Sequence, residues 1–291
     1  MLTDADLDEL LDEGWMPFEE HLATVEGLST PHTIPEGTVG GLTCRWKAPE
    51  ESSSAVSDVT IVAIPESEVP EEFLTVYAEK RCDPQYGGEI CRLSRIVNGV
   101  WIEAFSGYFF GERFDEPTAA FLERAVAAVA NGVAARAGTA VPATPTADWW
   151  SPMTCEAFAE QMRFDELTEG GFESGYYEGG QQAEQTLKDS MGVSRYCPYH
   201  TADDRMATGQ DHRIFSVDAN PGGHWMWSYL SDGGTSVEAD GATDAVLFTF
   251  GEQDATVFAT DGANVVEVAG PEGVDFVVDI AERALEALAA R

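Results

Sequence analysis

Apolar residues recur along this chain in two rhythms, and the order of those rhythms repeats. In "LTDADLDELLDEG", from Leu2, residues Leu7, Leu10 and Leu11 share one helical face and acids fill the rest. In "MTCEAFAEQMRF", from Met153, residues Phe158, Ala159 and Met162 do the same. Thr3 and Thr154 stand where helix N-caps are expected. Period-two segments follow each helix. "GLTCRWKA" and "DVTIVAIP" come first, "SRYCPYHT" and "DHRIFSVD" second. "CRLSRIVNGVWIEAF" predicts a hairpin turning at Asn98-Gly99, and "AVLFTFGEQDATVFAT" reads as its counterpart. Each half closes on a helical stripe. The first carries Phe121, Leu122, Ala125, Val126, Val129 and Val133; the second carries Val274, Val277, Val278, Ala281, Leu285 and Leu288.

The displacement from Cys44 to Cys197 equals that from Asp58 to Asp211. A second, nearly equal displacement relates Gly107 to Gly262, Phe121 to Phe276 and Arg136 to Arg291. Between the halves, "GTAVPATPTADWW" has no apolar period and reads as a linker. The expected organisation is therefore one α+β copy over 1–138, a linker over 139–150 and a second copy over 151–291. Each copy is an antiparallel sheet packed against helices. Trp149 and Trp150, at the linker's end, are expected to dock the two copies.

Composition narrows the function. Sixteen basic residues against 52 acidic ones give a formal charge of −36. Such a surface repels nucleic-acid phosphates, so no nucleic-acid partner is expected, and it disfavours anionic membrane surfaces. Lysine occurs only at Lys47, Lys80 and Lys188. No apolar run reaches the roughly 18 residues of a membrane span, and the opening residues do not read as a signal peptide.

The five cysteines form no close pair of the zinc-ribbon or thioredoxin kind. The second copy suggests a bridge from Cys155, at a helix start, to Cys197, on a strand. Cys82 and Cys91 flank the turn-rich "DPQYGGEI", which a local bridge would staple. Cys44 is left over. The repeat displacement carries Cys155 back to Leu2, so the partner of Cys44 is expected at or before the chain start, on a natural protein extending upstream. Pairing of Cys44 with Cys82 or Cys91 stays open. Disulfides imply an oxidising compartment.

A helix-start cysteine, a second cysteine before an aromatic on the first strand, a hairpin and an alanine-rich closing helix together resemble a known group. They are similar to domains of unassigned function in actinobacterial envelope lipoproteins, which have the PsbP/Mog1-like sheet-and-helix fold. The resemblance covers both halves. It implies an extracellular or cell-envelope protein, commonly lipid-anchored upstream of residue 1, and it carries no catalytic residue onto this chain. The N-terminus lacks a lipobox cysteine, and the first copy lacks its helix cysteine.

Candidate chemistry is sparse. No calcium loop, phosphate loop or nucleophile elbow is present, and no cofactor is expected. His200, His212 and His224, with Asp203 nearby, are the residue types of a metal site. They support a metal-dependent hydrolase as the alternative function. "GGHWMWSYL", from Gly222, reads as an extended strand with Trp225, Trp227 and Tyr229 on one face. Those aromatics, with Tyr176 and Tyr177 of a glycine-rich loop, are the candidate ligand contacts. The leading expectation is a non-enzymatic envelope protein that binds a protein partner or small ligand through tandem α+β domains.

Overall fold

A computed structural model describes residues 15–24, 30–48, 56–85, 88–108, 116–135, 143–151, 153–167, 172–174, 183–201, 213–250, 254–271 and 273–290. The chain divides into two compact units. The first comprises Met1–Ser29 and Val39–Pro142; the second comprises Ala143–Arg291 together with the early segment Thr30–Thr38. The expected first helix, over Leu7, Leu10 and Leu11, lies outside the described residues.

In the first unit, β1 (Met16–Pro17) leads into α1 (Phe18–Thr24). Then come β2 (Leu42–Lys47), β3 (Val56–Pro65), β4 (Arg81–Gln85), β5 (Gly88–Val97), β6 (Val100–Tyr108) and α2 (Glu116–Ala135). The sheet order is β1-β2-β3-β6-β5-β4, antiparallel throughout. Asn98 and Gly99 both have positive φ, as a type I′ turn requires. The α2 stripe of Phe121, Leu122, Ala125, Val126 and Val129 packs on Val59, Ile61, Leu93, Ile102 and Ala104. Strand alternation turns Thr60, Arg92, Ser94, Trp101 and Glu103 to the opposite face, where they too are buried. There Arg92 pairs with Glu103 at 3.3 Å and lies over the Phe105 ring.

The second unit contains α3 (Cys155–Gln161), β7 (Phe172–Ser174), α4 (Ala183–Met191), β8 (Arg195–Thr201) and β9 (Arg213–Asn220). It continues with α5 (Trp227–Leu230), β10 (Thr235–Ser236), β11 (Asp244–Phe250), β12 (Asp254–Thr260), β13 (Val265–Gly270) and α6 (Val274–Ala289). Its seven-stranded antiparallel sheet runs β10-β11-β12-β13-β9-β8-β7. The Thr154 hydroxyl caps α3 by accepting from the Ala157 N–H. Helix α6 buries Val277, Ile280, Ala281, Ala284, Leu285 and Leu288 against Val217, Val257 and Val268. The molecule is thus α+β, two antiparallel sheets each packed against helices.

The strand registers superimpose. Cys44 lies opposite Ile61, Ile61 opposite Ala104, and Ala104 opposite Leu93. Cys197, Val217, Val268 and Val257 form the matching row. The counterpart of the β5–β6 hairpin is therefore β12–β13, one strand later than the sequence comparison placed it. The cause is the turn chemistry. Between β12 and β13 the Asp261 carboxylate, in place of an Asn-Gly pair, accepts from the N–H groups of Ala263 and Asn264.

Two disulfides close, Cys82–Cys91 and Cys155–Cys197. Cys44 is free and half-buried, in the place that Cys197 holds in the second sheet, and burial raises its thiol pKa. Its pairing with Cys82 or Cys91 is thereby ruled out. No helix among the described residues is long and apolar enough to cross a membrane.

Candidate functional site

The stretch from Gly222 that reads as a strand is helical. Gly222 adopts φ +69°. A 3-10 turn over Gly223–Met226 then continues into α5. The alternation His-Trp-Met-Trp-Ser-Tyr suggested one aromatic face, but a helical path puts positions four apart together. Met226 and Leu230 consequently point inward, to Val246, Phe248, Phe258 and Val265. Trp225 and Tyr229 share the outer side, 47% and 39% exposed. Trp227 leaves that face, and its Nε1–H donates to the Asp244 carboxylate at 3.1 Å.

The outer turn is pinned by the early segment Thr30–Thr38. The Trp225 indole N–H donates to the Thr38 hydroxyl at 3.0 Å. Its ring lies so close over Gly37 that a Cβ there would come within 2.3 Å of it. The Ile34 N–H donates to the Met226 sulfur at 3.2 Å. Trp149 covers Gly222 in the same way, and Trp150 is buried in the second unit's core. Asn264 joins these pieces: its Oδ1 accepts from Trp150 N and Gly222 N, and its amide donates to Asp148 O. The tryptophan pair assigned to docking the copies is built into the second unit.

Beneath the segment lies a buried polar cluster. Glu36, 2% exposed, sits in a 3-10 turn over Pro35–Val39. Its Oε1 is 3.2 Å from Lys188 Nζ, and Glu184 Oε1 is 2.9 Å from the same nitrogen. Burial opposes the ammonium charge, but Glu36 and Glu184 outweigh it and raise the Lys188 pKa. Asp218, on β9, accepts from the Ser194 hydroxyl at 2.7 Å and from Thr33 at 3.2 Å. Burial pushes its carboxyl above the usual range, against the pull of Ser194, Lys188 and Thr33. Gln185 donates to Ser194 and Asp189, and Asp189 pairs with Arg195 at 3.1 Å. Sequence reading missed this cluster. Its signals were a lysine in a chain with three, and the polar alternation Ser216, Asp218, Asn220 between Phe215, Val217 and Ala219.

The proposed metal residues are not drawn together where they are described. His200 lies opposite Arg213 at the start of β9, whereas the His224 backbone N–H bonds to Ala263 beyond its far end. At about 3.3 Å per residue, β9 separates them by roughly 23 Å. His200 is buried; His224 is exposed and contacts the Thr260 hydroxyl at 3.0 Å. His212, Asp203, Tyr176 and Tyr177 lie outside the described residues. Among the described residues, no group of three His, Cys, Asp or Glu side chains is placed to hold a metal.

A surface cleft of about 460 Å³ lies at one end of α6, lined by Arg163, Asp240, Asp279, Glu282, Arg283 and Glu286. Its guanidinium groups are engaged within the unit, Arg163 with Glu286 at 3.7 Å and Arg283 with Asp279 at 2.9 Å. Compared with known protein families, curated proteins and solved structures, the chain has no significant match.

Proposed function

We propose that this is a non-enzymatic binding protein of an oxidising, extracellular or cell-envelope compartment. It engages its partner through the Trp225–Tyr229 ridge of the second unit. The observation that carries the reading is that ridge: two large aromatic side chains exposed on a turn whose opposite side is core. The Trp225 indole is held in place by Thr38 and Gly37 before any partner arrives. A fixed aromatic surface loses little conformational entropy on contact, which is why such residues dominate binding interfaces. The two disulfides support the compartment. The lipoprotein resemblance and an upstream anchor belong to the same reading. Nothing among the described residues favours the metal-dependent hydrolase.

The test is site-specific photo-crosslinking in the producing cell. A photoreactive residue at position 229 should capture a discrete partner, and the same group at exposed Glu123 should not. Trp225→Ala should remove the adduct without unfolding the protein, as followed by its melting curve. No adduct at 229, or the same adducts at both positions, would refute the ridge as the contact surface.

A further inference from the structure

We propose that Lys188 and Glu36 are the two halves of an intramolecular isopeptide bond, formed by condensation inside the folded second unit. Three features of the cluster point there. The reacting groups are already in contact, with Lys188 Nζ 3.2 Å from Glu36 Oε1. Glu36 is 2% exposed, and its Oε2 is buried with no hydrogen-bond partner. That oxygen can depart without breaking any hydrogen bond to the protein. A further carboxyl group stands beside the lysine to move protons: Glu184, with Oε1 2.9 Å from Nζ.

The chemistry balances without any co-reactant. Lys188 passes one ammonium proton to Glu184, and the freed nitrogen lone pair attacks Glu36 Cδ. The new C–N bond forms as one C–O bond of the carboxyl breaks. The departing oxygen takes two of the protons that began on the ammonium and leaves as water. Glu184 relays each of these in turn and ends as the carboxylate it began as. A buried ion pair becomes a neutral amide, which removes the desolvation cost of both charges. The 2% exposure of Glu36 restricts the access of water that would reverse the step. The product would fasten the segment Thr30–Thr38 to α4 and close the chain between them into a covalent loop.

Intact mass of the purified full chain, denatured and fully reduced, decides the matter. The proposal expects the chain to be one water lighter than its sequence. Proteolysis should yield a branched peptide joining residue 36 to residue 188, identified by fragmentation. Succinimide formation at Asp232-Gly233, Asp240-Gly241 or Asp261-Gly262 would also remove one water. Lys188→Met and Glu36→Ala separate the two: each should restore the full mass if the amide is the source. A full mass in the wild-type chain would overturn the proposal. So would a deficit that survives Lys188→Met. The branched peptide of the wild type gives the same answer if either variant fails to fold.

Discussion

At the scale of single residues, the second unit depends on contacts that leave no room for change. Gly37 lies under the Trp225 ring, where a Cβ would come within 2.3 Å. Overpacking of this kind costs about 1–3 kcal/mol. Gly37→Ala should lower the urea midpoint accordingly and shift the tryptophan emission toward that of solvent-exposed indole. Asp218 makes a prediction in pH. Folding raises its carboxyl pKa above the unfolded value of about 3.9. Between those two values the unfolded chain ionises while the folded one stays protonated. Stability therefore falls as pH climbs from about 4 through the raised value. Asp218→Asn should flatten that slope in urea titrations run across pH; an unchanged slope would assign it to another group. In the first unit, Arg92→Met removes the guanidinium that pairs with the buried Glu103 carboxylate. Removing one partner of such a pair costs about 3–5 kcal/mol, measurable in the same denaturation.

At the scale of elements, legibility followed periodicity. The stripes of α2 and α6 pack on their sheets except at Val274, which begins α6 and stays 37% exposed, because a 3.6-residue repeat can bury one side only as a helix. Thr154 was readable as a cap because its hydroxyl suits an orphan N–H, and Thr154→Ala should cost about 0.5–2 kcal/mol. The Gly222–Leu230 segment misled because alternation over so few residues also fits a helix that buries positions 226 and 230. Which rhythm applied was settled by Val246, Phe248, Phe258 and Val265, far away in sequence, which make the pocket for Met226 and Leu230. The Cys155–Cys197 bridge ties α3 to β8. Removing it by a paired Cys→Ala substitution should cost about 2–5 kcal/mol, read as a fall in the melting temperature.

At the scale of the whole molecule, charge dominates. A chain with a formal charge of −36 repels itself when folded compactly. Raising salt from low ionic strength to about 0.15 M, where the Debye length is about 8 Å, should raise the melting temperature. A melting temperature independent of salt would show that the acids are compensated locally. The sequence by itself determined the α+β class, the Asn98-Gly99 hairpin and the closing helices, and it put forward Cys155–Cys197 and Cys82–Cys91 while leaving Cys44 with Cys82 or Cys91 open. Each of these follows from local periodicity, turn chemistry or a repeated spacing. Tertiary structure alone decided that Thr30–Thr38 belongs to the second unit, that Trp225 and Tyr229 form a helical ridge, and that Glu36, Lys188 and Asp218 meet. The contacts that fix them, Thr33 to Asp218, Glu36 to Lys188 and Thr38 to Trp225, join residues half the chain or more apart. Burial and charge pairing across such distances leave no periodic trace in the sequence.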